Sequence, residues 1–247
     1  MTAIYKRELY SFFTTPLGYI YVAMFWAVSA FVFCMFTLLA GQDCNVSTYF
    51  TLELIVMALM TPLLTMKSFS EERKLKTEQL LLTSPVTLPG YVGAKFLAYY
   101  TVFGGSFILS SVCFFPVMFK FLPKTTITGQ LGLDYAGVTA LGGCIALILV
   151  GAAFISVGML ISSLTENQMI SAIGTITVLG LLLGISFVNQ YIAFEPVRIF
   201  FNWLSIYARF SNFGLGYFDI AALIYYASFA FVCLFVTVRI YEKRRWS

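Results

Sequence analysis

Apolar residues fall into six long blocks separated by short polar stretches, over 17–40, 48–66, 96–119, 135–161, 169–188 and 220–240. A helix rises about 1.5 Å per residue, so a run of about 20 apolar residues crosses a hydrocarbon layer about 30 Å thick. Each block therefore predicts one membrane-spanning helix, and the short alternating segments of an outer-membrane barrel are absent. Ahead of the first block, Ile4, Tyr5, Leu9, Phe12 and Phe13 share one side of a helix, while Lys6, Arg7, Tyr10 and Ser11 cover much of the other. This pattern predicts an amphipathic helix over 1–15 lying in the membrane interface, ended by Thr14-Thr15-Pro16. Glu8 adjoins its apolar side and requires a partner there, either a base or an adjacent protein. Residues 189–218 interleave Tyr191, Phe194, Phe200, Trp203, Tyr207 and Phe210 with Glu195-Pro196, Arg198 and Arg209. That mixture is too polar for a clean span and too apolar for a free loop. It predicts short helices lying in, or dipping into, the outer interface, the zone that Trp and Tyr favour.

The polar positions concentrate between the second and third blocks, in Ser68–Lys95, which holds three acids and four bases. Ser68 with Glu71 fits a capping box. Glu71/Lys74, Glu72/Lys76 and Lys74/Glu78 fall at helical pair spacing, each pair contributing about 0.2–0.5 kcal/mol on an exposed surface. Leu75, Leu82 and, less closely, Gln79 share a face, with Leu81 beside it, and Pro85 and Pro89-Gly90 stop the helix. The reading is a short charged helix outside the membrane. Within the second span, Glu53 is placed near the outer end, close enough to the interface to reach water or to line a substrate path. Pro62 predicts a kink near the inner end. The fourth span carries Gly137, Gly142, Gly143, Gly151 and Gly158, which let helices approach closely in lipid.

Composition agrees with this layout: 60% of the 247 residues are hydrophobic and only 11% charged, with a mean hydropathy of +0.89. Residues 1–16 lack the apolar core and small-residue cleavage site of a signal peptide, so the first block is read as a retained span. The position of the bases sets the orientation. With six spans and an inside N-terminus, the inside carries Lys6, Arg7, Lys67, Arg73, Lys74, Lys76, Lys95, Arg239, Lys243, Arg244 and Arg245. The outside carries Lys120, Lys124, Arg198 and Arg209; eleven against four accounts for all 15 bases. Both termini and the polar stretch are thus predicted to be cytoplasmic. Five scattered cysteines, four of them in apolar runs, read as small packing residues.

Several chemistries are excluded by what the chain lacks. There is no histidine and no CxxC pair, and no GxxxxGK[ST], HExxH or GxSxG motif. Metal sites built on imidazole, nucleotide hydrolysis and peptide hydrolysis by this chain are therefore not expected. Few charges lie inside the spans, which argues against a proton- or sodium-coupled carrier. A net charge of +4 is no nucleic-acid signature. If such a unit does work, its energy comes from a partner, and the charged helix is the natural handle.

The run FSEERKLKTEQLLLTSPV, Phe69 to Val86, closely resembles the EER…LL…[ST]-P signature of ABC-2 type permeases, the membrane subunits of ATP-binding-cassette exporters. It departs from that signature at Lys76, where the family often has Gly. The opening AIYKRELYSFFTTPLGYIY, the run SSLTENQ at Ser162–Gln168 and the closing VRIYEKRRW resemble the gliding-motility and copper-nitrous-oxide-maturation branch of the family, so the resemblance covers nearly the full chain.

The resemblance implies an all-α polytopic fold of the type V exporter kind: six spans, an N-terminal connecting helix, a cytoplasmic coupling helix and outer re-entrant helices, forming one permease domain over 1–247 in a bacterial cytoplasmic membrane. It implies ATPase coupling by Glu71, Glu72, Arg73, Thr77, Glu78, Leu81, Leu82, Ser84 and Pro85. It further assigns Tyr5, Arg7 and Glu8 to the connecting helix and Ser163, Thr165, Glu166 and Asn167 to a second cytoplasmic contact, with Glu53 as a pathway candidate. The implied function is export driven by a separate cytoplasmic ABC ATPase that binds ATP and Mg; this chain would bind no cofactor and be no enzyme itself. The implied partners are that ATPase, a second permease protomer in a homo- or heterodimer, membrane lipid, and an accessory protein with a large extracytoplasmic domain. A mechanical scaffold that acts on such an accessory protein without moving a solute is the alternative.

Overall fold

In lipid every backbone N–H and C=O must be satisfied within the segment, and long apolar runs meet that demand only as helices. The structure, a computed structural model, describes residues 2–35, 46–76, 87–121, 132–189, 194–214 and 219–246, and every regular element among them is a helix. In chain order these are α1 (Thr2–Thr14), α2 (Pro16–Phe33), α3 (Val46–Thr65), α4 (Ser70–Lys74), α5 (Leu88–Phe121), α6 (Gly132–Leu164), α7 (Gln168–Asn189), α8 (Glu195–Leu204), α9 (Ile206–Gly214) and α10 (Ile220–Trp246). Six helices are long and apolar enough to cross a membrane, as the block pattern predicts, and they fit a multi-pass membrane protein.

The largest departure from the apolar blocks is at the third span. The third span begins at Leu88 rather than 96, and it takes in Pro89-Gly90, which were expected to stop a helix. Pro89 stands in the first turn, where the N–H it lacks would have had no helical partner. Lys95 therefore lies inside a helix, in its second turn, rather than in a loop. The second span continues through Pro62 to Thr65 before giving way to the turn at 66–69.

α6 is the central helix, packed against α3, α5, α7, α9 and α10. Its glycines make this possible. A Cβ on Gly158 would lie 2.2 Å from Thr65 Oγ1 on α3, and Phe103 of α5 and Phe50 of α3 press in the same way on Gly151 and Gly143. A second close approach, at Gly18, lets α2 cross the last turn of α1, since a Cβ there would lie 2.2 Å from the Phe12 carbonyl oxygen. α1 turns Ile4, Tyr5, Glu8, Leu9 and Phe12 toward the bundle. Phe13, expected on that face, is exposed.

Residues 189–218 supply the two short helices α8 and α9, as expected of that stretch. α9 is seated against α3, α6 and α7 through Phe210 and Phe213, and Tyr226 donates to the Ile206 carbonyl at 2.9 Å. Ser205 breaks the pair and caps α9, accepting from Ala208 N at 3.1 Å. α8 by contrast leaves Ile199, Phe200 and Trp203 exposed. Cys144 and Cys233 are half-buried, but Cys34 and Cys113 face outward rather than packing in the core. At the opposite end of the bundle, α1, α4, the start of α5, the α6–α7 turn and the end of α10 come together. This is the end that collects the bases.

Candidate functional site

The site is built around α4, and its start is not capped as the sequence suggests. The Ser68/Glu71 capping box does not form: the Ser68 hydroxyl does not accept from the first turn of α4, and Glu71 reaches back to Lys67 at 3.7 Å. The orphan N–H groups of Phe69 and Ser70 are instead satisfied from another helix. Ser162, near the end of α6, accepts from both at 3.1 and 3.2 Å. Phe69 itself is fully buried between Tyr91 and Tyr241, with ring centroids 6.1 and 5.1 Å away. α4 is also shorter than the charge pattern predicts. After Lys74 the chain turns, and Lys76 adopts φ 57°, a left-handed conformation that favours Gly.

Glu72 does not pair with Lys76, as i,i+4 spacing suggests. It points inward to Lys95, whose Nζ stands 3.0 Å from Glu72 Oε1 and 3.7 Å from Glu8 Oε1. Lys95 is 1% exposed. Its ammonium also donates to the Ser68 carbonyl and lies 4.9 and 5.2 Å from the ring centroids of Phe69 and Tyr91. The Tyr91 hydroxyl donates to the second oxygen of Glu72. Arg7 closes the group from α1, 2.8 Å from Glu8 and 3.3 Å from Glu72. Its guanidinium is held above its usual pKa chiefly by the hydrogen bond to Glu8, against a smaller opposing effect of burial. Glu8 thus finds the base that its place on α1 demands, and Tyr5 ties α1 to α5 through Thr101 at 3.2 Å. Two carboxylates and two cations on α1, α4 and α5 form one neutral cluster.

A second set of contacts joins α4 to the α6–α7 turn. Arg73 donates to the Leu164 carbonyl at 2.9 Å and pairs with Glu166 at 2.9 Å. From α10, Arg244 donates to the Ser163 carbonyl at 2.7 Å. Two guanidinium groups so meet the last turn of α6, where unpaired carbonyls and the negative end of the helix dipole favour cations. The turn residues singled out by sequence divide. Glu166 and Asn167 are exposed, Thr165 is half-buried, and Asn167 caps α7 by accepting from Met169 N at 3.0 Å. Ser163 is buried, its hydroxyl turned back to the Leu160 carbonyl, so its side chain offers no external contact. Of the coupling residues, Glu71, Glu72 and Arg73 belong to this cluster, whereas Thr77, Glu78, Leu81, Leu82, Ser84 and Pro85 lie outside the described residues. The outward surface of the described part is Lys74, Leu75 and Lys76, with Leu75 64% exposed. Between α1, α3, α4 and α5 lies an open cavity of about 530 Å³, bordered by Arg7, Phe12, Leu64, Lys67 and Lys95.

Glu53 is elsewhere, and the expectation that it reaches water is corrected. It is fully enclosed within the chain, and it lines neither this cavity nor the one beside Trp203 and Arg209. Helix packing from α2 covers it, with Ser29 donating to Oε1 at 2.7 Å. Lys95 is the residue that sequence reasoning undervalued, as one more inside base. Its signal was the helical stripe Tyr91, Lys95, Tyr99, in which a lone base sits between aromatic residues one turn apart. Comparison with protein-family models and with curated proteins returns no match.

Proposed function

We propose that this chain is the permease subunit of an ATP-binding-cassette exporter, which binds no nucleotide and is driven by a cytoplasmic ATPase docking on α4. The proposal rests on the sequence signature of Phe69–Val86. The observation that carries it furthest is the pair of inward ionic contacts made by so short a helix. Glu72 reaches α5 and α1 through Lys95 and Arg7, and Arg73 reaches the α6–α7 turn. A five-residue helix has little stability of its own. Held on two sides by charges on other segments, it would move as one body with them.

This division assigns different work to neighbouring residues. Lys74, Leu75 and Lys76 face outward and would meet the ATPase. Glu72 and Arg73 face inward and would pass the displacement to the first, third, fourth and fifth spans. The open cavity between α1 and α4 leaves room for such a movement. Eleven of the chain's bases fall on segments at this end, which the positive-inside tendency assigns to the cytoplasm.

The test is co-purification with co-expressed ABC ATPase subunits from the same genome, followed by ATPase and export measurements in lipid vesicles. Leu75→Glu is expected to abolish assembly. Glu72→Gln with Arg73→Gln is expected to preserve assembly while uncoupling hydrolysis from export. If the double variant assembles, hydrolyses ATP and exports as the parent does, the coupling role is lost. Full ATPase stimulation without accumulation of any offered solute would favour the mechanical scaffold instead.

A further inference from the structure

Glu53 lies in the interior of the second span, remote from the α4 cluster, and nothing in the coupling scheme uses it. Its carboxyl is fully enclosed, and among the described residues no lysine or arginine pairs with it. One neutral hydroxyl, Ser29 on α2, reaches Oε1; Oε2 has no hydrogen-bond partner among the described residues. A carboxylate in such a place would keep most of its charge uncompensated in a medium that solvates charge poorly, a cost of several kcal/mol. The carboxylic acid form removes that cost and can share the Ser29 bond in either direction.

The surroundings favour a neutral acid on every side. On α2 and α3 the titratable neighbours are Tyr21 and Tyr49, close enough to feel the Glu53 charge and themselves enclosed. From α5 the hydroxyl of Ser110 faces Tyr49 and that of Ser106 faces Tyr21, and Trp26 donates to the Ser106 carbonyl at 3.2 Å. From α6 the Cys144 thiol stands beside Tyr49. α7 carries no ionisable residue at all, and Arg209 on α9 is occupied by the Tyr225 and Trp203 rings. The groups shown to interact with Glu53 are thus the hydroxyls of Ser29, Tyr21 and Tyr49, with no fixed positive charge among those described.

We propose that Glu53 is an intramembrane proton-binding site, carrying its proton at neutral pH while α2 and α3 are closed over it. Release of the proton would create a charge that must be hydrated. Parting of α2 from α3 at Ser29 would admit that water. The Glu53–Ser29 bond then acts as a proton-sensitive clasp between the first two spans. The inference needs only the helical bundle and is independent of any ATPase.

Infrared spectra of the full chain in phosphatidylcholine vesicles, collected across a pH titration, test it. The expected result is a protonated-carboxyl C=O band present at neutral pH, absent from Glu53→Gln, and retained while exposed carboxyls ionise. Should Glu53→Gln fail to fold, Ser29→Ala assigns the band instead, because loss of the hydroxyl bond moves it to higher frequency. A spectrum at neutral pH in which Glu53→Gln removes only carboxylate bands overturns the proposal. So does a protonated-carboxyl band that appears only when sodium or potassium is withdrawn, since the site would then hold a metal cation.

Discussion

Replacing Lys95 with Met isolates the cluster on which the proposed coupling depends. The substitution keeps most of the side-chain length and deletes the ammonium. It leaves Glu72 and Glu8 without their shared buried cation, while Arg7 remains at 3.3 and 2.8 Å from them. Breaking a buried ion pair by removing one partner costs about 3–5 kcal/mol. Loss of the contacts over Phe69 and Tyr91 adds about 0.5–2 kcal/mol. Glu72 is only partly buried and retains Arg7 and Tyr91, which places the total at the low end of both ranges, about 3.5 kcal/mol. The companion change Glu72→Gln removes the unpaired charge, so the double variant should recover much of that loss. Thermal or denaturant unfolding of all four proteins in one detergent gives the coupling energy directly. If the two single effects add to within about 0.5 kcal/mol, Lys95 and Glu72 are not energetically joined, and the account of α4 as a pinned element fails.

Two further perturbations test how α4 is terminated. Ser162→Ala should destabilise by about 1–3 kcal/mol, because it strands the Phe69 and Ser70 N–H groups in a buried setting. Amide hydrogen exchange should speed at those two residues first; unchanged protection there would show that Ser162 is not their acceptor. Lys76→Gly should stabilise by about 0.5–1 kcal/mol, since Gly adopts φ 57° without the cost a Cβ incurs. Lys76→Ala retains the Cβ and serves as the control, and a Gly variant no more stable than the Ala variant would refute the backbone explanation.

The six spans were legible from the apolar blocks because the constraint that makes them is local: a backbone in lipid must pair with itself. The helix α1 with its one apolar face, the paired short helices of 189–218 and the small-residue face of α6 were legible for the same reason, through spacing and residue type alone. Even the need of Glu8 for a base could be read from its place beside an apolar face. Which base answered it could not.

Tertiary structure alone decided how the charges pair. Local spacing offered Glu72 a partner at Lys76, but an exposed i,i+4 pair is worth only about 0.2–0.5 kcal/mol. A buried lysine without a counter-charge costs several times that. Lys95, enclosed once α5 starts at Leu88, therefore takes Glu72, and α4 turns its acid inward. The same ordering of magnitudes replaced the Ser68 cap by Ser162, because Phe69 had to be buried and its N–H went with it. It also enclosed Glu53, since only the packing of α2 against α3 shows that a carboxyl near a predicted interface has no water to reach. Local chemistry set the helices, and the cost of leaving a charge or a donor unpaired inside them chose their partners.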